Sequence, residues 1–148
     1  MPGDVVVAHI TLAGPFLPTE RLEQNVLAEI RERCAHQAAF PFTLVQVASF
    51  STGVVYLEPE PAQPFAYLQQ WFRQRWPEVP LYGGQFAGKP HVSLAADRHT
   101  PEQVAEVAAE VQPELPIQAV AREVVLIVAE ERRWHLLNSF PFDARAVE

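Results

Sequence analysis

An α+β fold is predicted for this chain from three observations. Several runs of apolar residues alternate with period two, other stretches repeat apolar residues at helical spacing, and Pro, Gly or Ser/Thr signals stand where one pattern gives way to the other. The chain has 148 residues, and a globular chain of that size buries about 68–70% of its unfolded surface, enough for one sizeable core and too little for two. A single domain over residues 1–148 is therefore expected, built from two pseudo-repeats at about 4–76 and 89–142.

The elements follow in order. Residues 4–12 alternate as a strand, and Gly14-Pro15-Phe16-Leu17-Pro18 breaks it. Thr19 is placed to cap a helix through residue 37, in which Leu22, Val26, Ile30 and Cys34 recur every four residues as an apolar stripe. Phe40 to Phe50 and Gly53 to Glu58 are expected strands joined by a Ser51-Thr52-Gly53 turn. Pro64 opens a second helix carrying Phe65, Leu68 and Phe72, which ends at Trp76-Pro77. The Pro- and Gly-rich stretch from Pro77 to Gly88 bridges the halves. Thr100-Pro101-Glu102-Gln103 combines an N-cap threonine, a first-turn proline and a glutamine three residues after the cap, a strong start signal for a helix with Val104, Ala108 and Val111 on one side. Leu115 to Ala129 is expected as one strand and Arg133 to Phe140 as its partner, with Glu130-Glu131-Arg132 as the turn. Val54-Val55-Tyr56-Leu57 aligns with Trp134-His135-Leu136-Leu137 at an offset of 80, so each half reads as β-α-β-β, with a further helix in the first.

Two segments carry the chemistry. Ala8-His9-Ile10-Thr11-Leu12 and Pro90-His91-Val92-Ser93-Leu94 each place a histidine and a hydroxyl residue two apart, and the histidines are 82 positions apart, one in each half. Successive side chains on a strand point to opposite faces. His9 and Thr11 would thus share one face and His91 and Ser93 another, while Ile10, Val92 and the leucines turn to a core. Two such pairs facing each other suit a phosphate held between two acid/base groups, with hydroxyl donors on its non-bridging oxygens.

Charge and cysteine content narrow the partners. Net charge is −7, with 18 acidic residues against 11 Lys and Arg, so the bulk field repels a long polyanion. A short substrate is favoured over duplex nucleic acid. Cys34 is the sole cysteine, which rules out an intramolecular disulfide; it is expected to pack within its helix, with His36 at the surface. The paired motifs have no nearby carboxylate or thiolate to complete a metal site, so no metal or other cofactor is expected. Met1-Pro2-Gly3-Asp4 lacks a basic region, and no apolar run approaches the roughly 18 residues of a membrane span. A cytoplasmic monomer, with no membrane contact and no obligatory protein partner, is the expectation.

The chain resembles the 2H phosphoesterase superfamily, which includes bacterial 2'-5' RNA ligase-like proteins and RNA 2',3'-cyclic phosphodiesterases. That family is named for two His-x-Thr/Ser-x motifs, matched here by His9-Ile10-Thr11-Leu12 and His91-Val92-Ser93-Leu94. Gly14-Pro15-Phe16 after the first motif, Lys89-Pro90 before the second and the closing Phe140-Pro141-Phe142 are similar too. The linking segments are compact, leaving little room for the larger loops with which some relatives grip longer RNA. The resemblance implies two pseudo-symmetric lobes of antiparallel sheet around a central cleft with helices packed outside; the pseudo-symmetry of the chain would put one histidine strand in each lobe. It also implies a cyclic phosphodiesterase that opens the ring to a 2'-phosphate.

The expected mechanism is metal-independent. One imidazole takes a proton from the attacking water, the other protonates the departing ribose oxygen, and Thr11 and Ser93 donate to the non-bridging oxygens. Which histidine plays which part is open. Lys89, two before His91, is a candidate phosphate ligand, and Phe16 a candidate to stack a base, its alternative being to pack under the loop. His99 and His135 are expected to be structural or superficial. The substrate would be an RNA terminus or small nucleotide bearing a cyclic phosphate. The same chemistry run backwards would make a 2'-5' RNA ligase, and a nucleotide-binding module without useful turnover is the reading from another class.

Overall fold

A computed structural model of the chain describes residues 8–51, 53–79, 89–95, 100–131 and 133–144. Three helices and six strands are present among them, and the class is α+β with antiparallel sheets. The helices are α1 (Gln24–Ala35), α2 (Gln63–Arg75) and α3 (Pro101–Val111). The strands are β1 (Phe40–Ser49), β2 (Val55–Glu60), β3 (Val92–Ala95), β4 (Ile117–Ala121), β5 (Glu123–Glu130) and β6 (Arg133–Pro141). They divide into two compact units, one of Leu17–Pro41 and the described residues from Val120 onward, the other of Ala8–Phe16 and Phe42–Ala119.

In the first unit, β5 and β6 form an antiparallel pair joined at Glu131, whose φ of 51° takes the left-handed turn. Helix α1 packs on β6, with the Arg31 guanidinium 5.3 Å from the centre of the fully buried Phe140 ring. Ile30 and Cys34 are the buried members of the expected stripe. Burial also pushes the Cys34 thiol up to about 11, which suits a packing role. Thr19 does not cap α1. It lies in a separate 3-10 turn, Thr19–Arg21, where its hydroxyl donates to Glu20, and the helix starts after Glu23 without a side-chain cap.

The other unit carries most of the four-stranded sheet, ordered β3-β2-β1-β4, with β1/β2 and β2/β3 antiparallel. β2 runs past Glu58 to Glu60 although Pro59 cannot donate to a ladder. The register shift between Leu44 and Gln46 on β1 falls opposite that proline. Gly53 turns the β1–β2 connection with φ 90°. Helix α2 buries Phe65, Leu68, Gln69 and Phe72 at i, i+3, i+4 and i+7. Thr100 caps α3 as expected: Gln103 N–H donates to its hydroxyl at 3.2 Å, and the Gln103 side chain accepts from Thr100 N–H at 2.9 Å.

One expectation about strands needs correction. Leu115 to Ala129 is not one strand: Arg122 separates β4, which joins the four-stranded sheet, from β5, which joins β6. The aligned segments 54–57 and 134–137 also differ, the first being buried throughout between β1 and β3 and the second exposed throughout on β6. Segments at equivalent places, the second with His135 in it, thus lie in a core in one case and at a surface in the other. Residues 4–7, Thr52, 80–88, His99 and Arg132, on which parts of the sequence reading fall, lie outside the described residues.

Candidate active site

Strand alternation sorts the second motif. Val92 lies opposite Leu57 and joins Leu44 and Leu57 in a buried cluster, against which Leu94, Phe42, Val47, Val111 and Leu115 pack. Ser93 points to the other face, opposite Tyr56, and is exposed. His91 lies two residues before it, on the same side. Ile10 of the first motif packs against the same apolar cluster and forms an antiparallel bridge with Val92.

That bridge sets the geometry of the two motifs. One step on either side of Ile10↔Val92, antiparallel register places His9 across from Ser93 and Thr11 across from His91. Continued one step either way, that register would set the four polar residues on the face opposite the apolar cluster, with the histidines diagonal. Residues 8–12 make this single bridge and no continuous strand, and the chain bends at Leu12–Pro15, where proline offers no donor to extend pairing. Both motifs lie in the same compact unit, not one per lobe, because both insert their apolar residues into one cluster.

His91 is 4% exposed. Its ring meets Phe50 and Tyr56 edge to face, with centroids 5.0 and 5.4 Å away. Nδ1 lies 2.7 Å from the Lys89 carbonyl. A carbonyl can only accept, so the proton sits on Nδ1 and Nε2 is the basic nitrogen of the neutral ring. Burial lowers the His91 pKa from 6.5, the His9 and Lys89 charges push the same way, and the Lys89 carbonyl partly opposes them.

The first motif is held from α2. Gln69 is 1% exposed and donates from Nε2 to the Thr11 carbonyl at 3.0 Å. A β-carbon on Gly14 would stand 2.9 Å from the Thr11 γ-methyl, so a glycine there leaves Thr11 its rotamer. Sequence reasoning missed Gln69. The signal was present, since Gln69 occupies the i+4 place of the stripe that holds Phe65, Leu68 and Phe72, and a buried amide requires a partner.

The two candidate substrate ligands are already engaged. Lys89 Nζ lies 2.6 Å from Glu58 Oε1 and 3.2 Å from the Tyr56 hydroxyl, so its charge is shared with a carboxylate. Phe16 packs edge to face on Phe72 and Trp76, with centroids 5.8 and 5.2 Å away. Its ring belongs to the aromatic cluster at the end of α2. His36 and His135 are exposed, His36 with Nδ1 2.9 Å from the Glu32 carbonyl. Among the described residues no three His, Cys, Asp or Glu side chains gather where they could hold a metal ion. No helix among them is long and apolar enough to cross a membrane.

The chain is 27% identical over 141 residues to "Putative phosphoesterase GK0864" of Geobacillus kaustophilus (strain HTA426), covering 90% of this chain and 70% of that protein. Its fold is similar to that in the crystal structure of TT0787 of Thermus thermophilus, with a TM-score of 0.59 at 19% identity over 93% of this chain and 79% of that one. The family model of the 2'-5' RNA ligase superfamily matches residues 3–133, a span that contains both histidine motifs and the sheet that aligns them. The chain therefore belongs to the 2'-5' RNA ligase superfamily, the 2H phosphoesterases.

Proposed function

We propose that this protein hydrolyses 2',3'-cyclic phosphates of RNA ends or nucleotides, with His91 as general base and His9 as general acid. The observation that carries the reading is the Ile10↔Val92 bridge, which joins the two motifs at their centres and whose antiparallel register would set His9 and Thr11 against Ser93 and His91. Membership in the superfamily supports phosphoesterase or RNA ligase-like activity; the division of labour comes from the surroundings of the histidines.

His91 suits the base. Its neutral ring is favoured by burial and by the neighbouring charges, and with Nδ1 donating to the Lys89 carbonyl the lone pair is on Nε2. His91 Nε2 takes the proton of the attacking water as oxygen bonds to phosphorus. The P–O3' bond breaks, His9 gives its proton to the departing 3' oxygen, and a 2'-phosphate remains. Hydroxyl protons of Thr11 and Ser93 stabilise the non-bridging oxygens as charge grows on them. One such preorganised donor is worth roughly 3–4 kcal/mol in other enzymes.

Incubation with a panel of 2',3'-cyclic nucleotides, with and without EDTA, tests the reading. The expected result is chelator-insensitive opening to the 2'-phosphate isomer. No opening of any cyclic nucleotide, or activity abolished by EDTA and restored by a divalent ion, would overturn it. The superfamily's description also favours a second reading, the same site joining two RNA halves through a 2'-5' bond. A ligation assay with a cyclic-phosphate end and a 5'-hydroxyl end separates the two.

A further inference from the structure

The side chains of Glu58, Tyr56, Gln46 and Lys89 form a cluster that takes no direct part in the chemistry above. Glu58, on β2, accepts from Lys89 Nζ at 2.6 Å, from Gln46 Nε2 on β1, and from the Tyr56 hydroxyl. The same hydroxyl lies 3.2 Å from Lys89 Nζ, and the ammonium stands 5.3 Å from the centre of the Tyr56 ring. Glu58 and Tyr56 are two apart on β2 and so share a face, while the register Gln46↔Glu58 brings the amide alongside. These hydrogen bonds hold the Glu58 carboxyl below and the Lys89 ammonium above their usual ranges.

Lys89 acts at two ends. Its side chain reaches Glu58, and its main-chain carbonyl accepts the His91 Nδ1 proton at 2.7 Å. Between Lys89 and His91 stands Pro90, buried and with a ring-fixed φ. A tether on the lysine side chain is thereby passed to the carbonyl through a stiff link. The Tyr56 ring, fixed by the same hydrogen bonds, also packs against the imidazole.

We propose that Glu58 is a positioning residue for His91, acting through Lys89: the carboxylate anchors the lysine side chain so that its carbonyl holds the imidazole in the Nδ1–H form, with Nε2 turned to its task. The catalytic half of this proposal rests on His91 being the base. Lys89 is then a support for the imidazole and not a phosphate ligand.

The test begins with the ring. Long-range 1H–15N correlation spectra of uniformly labelled protein at pH 8, with His91 assigned by its loss in His91→Ala, report the tautomer directly. The wild type is expected to show Nδ1–H. Glu58→Ala and Lys89→Met are expected to shift His91 toward the Nε2–H form that free imidazole prefers, and Glu58→Gln, which keeps an acceptor for Lys89, to shift it less. With a cyclic nucleotide, kcat should fall about tenfold in Glu58→Ala and Lys89→Met, the lower range for loss of an orienting partner, while KM changes less than twofold. An unchanged tautomer in both variants overturns the proposal, as does a rise in KM at constant kcat in Lys89→Met. A shifted tautomer in a protein that opens no cyclic phosphate would leave the positioning role standing and remove the proposed function instead.

Discussion

His9 and His91 occupy opposite surroundings, one exposed and the other buried between Phe50 and Tyr56. His9→Ala or His91→Ala should each remove on the order of 10²–10⁴ in kcat/KM, the usual worth of a positioned acid or base. Thr11→Val and Ser93→Ala should cost less, because a donor remains, and the two histidine losses should combine non-additively. Near-wild-type turnover in His91→Ala would show the second motif to be scaffolding. The pH dependence has a definite sign. Folding lowers the His91 pKa from 6.5, so the unfolded chain binds this proton more tightly and stability rises with pH across the interval. The His91 contribution is present above pH 6.5 and is lost as pH falls through the folded value. The fall in Tm between pH 7.5 and 5.5 should accordingly be smaller in His91→Ala than in the wild type, and the acid limb of kcat/KM should lie below 6.5. An acid limb above that value would assign it to another group.

Helix α2 does more than cover the sheet, because its buried Gln69 is bonded to the first motif. Gln69→Leu keeps the volume and leaves the Thr11 carbonyl without this donor, a loss of about 1–3 kcal/mol. A lower Tm together with a lower kcat is expected; a lower Tm with unchanged kcat would make Gln69 a packing residue only. Helix α3 gives the contrasting case. Its capping box is exposed, so Thr100→Ala should cost about 1 kcal/mol, or roughly 2–4 °C in Tm for a chain of this size, with kcat/KM unaltered. The sequence announced this cap because Thr100, Pro101 and Gln103 lie within one turn, and local hydrogen bonds suffice to make it. Thr19 looked like a cap for the same local reason, yet α1 begins five residues later.

At the scale of the whole chain, the net charge of −7 repels a long polyanion, and the proposed substrate is short. Raising salt from 50 to 200 mM should change kcat/KM for a cyclic mononucleotide by less than tenfold, whereas a protein making 6–10 phosphate contacts loses about 10³–10⁵ in affinity over that range. A steep salt dependence would indicate an extended RNA-binding surface instead.

Period and local chemistry were legible from residue order alone. The spacing of His9, Thr11, His91 and Ser93, the Phe65/Leu68/Phe72 stripe and the Thr100 box depend on neighbours within a few positions, where covalent geometry decides which side chains share a face. Which segments meet could not be read that way. The Ile10↔Val92 bridge, the division of residues 115–129 between two sheets, the engagement of Lys89 by Glu58 and the burial of Gln69 against Thr11 each join residues far apart in the chain. Such pairings follow from how the whole set of apolar residues is buried at once, and a one-dimensional pattern does not contain that information. The two histidine motifs were thus determined by the sequence, and their different surroundings by the tertiary structure, because burial and a carbonyl partner distinguish His91 from His9 only once the sheet has formed.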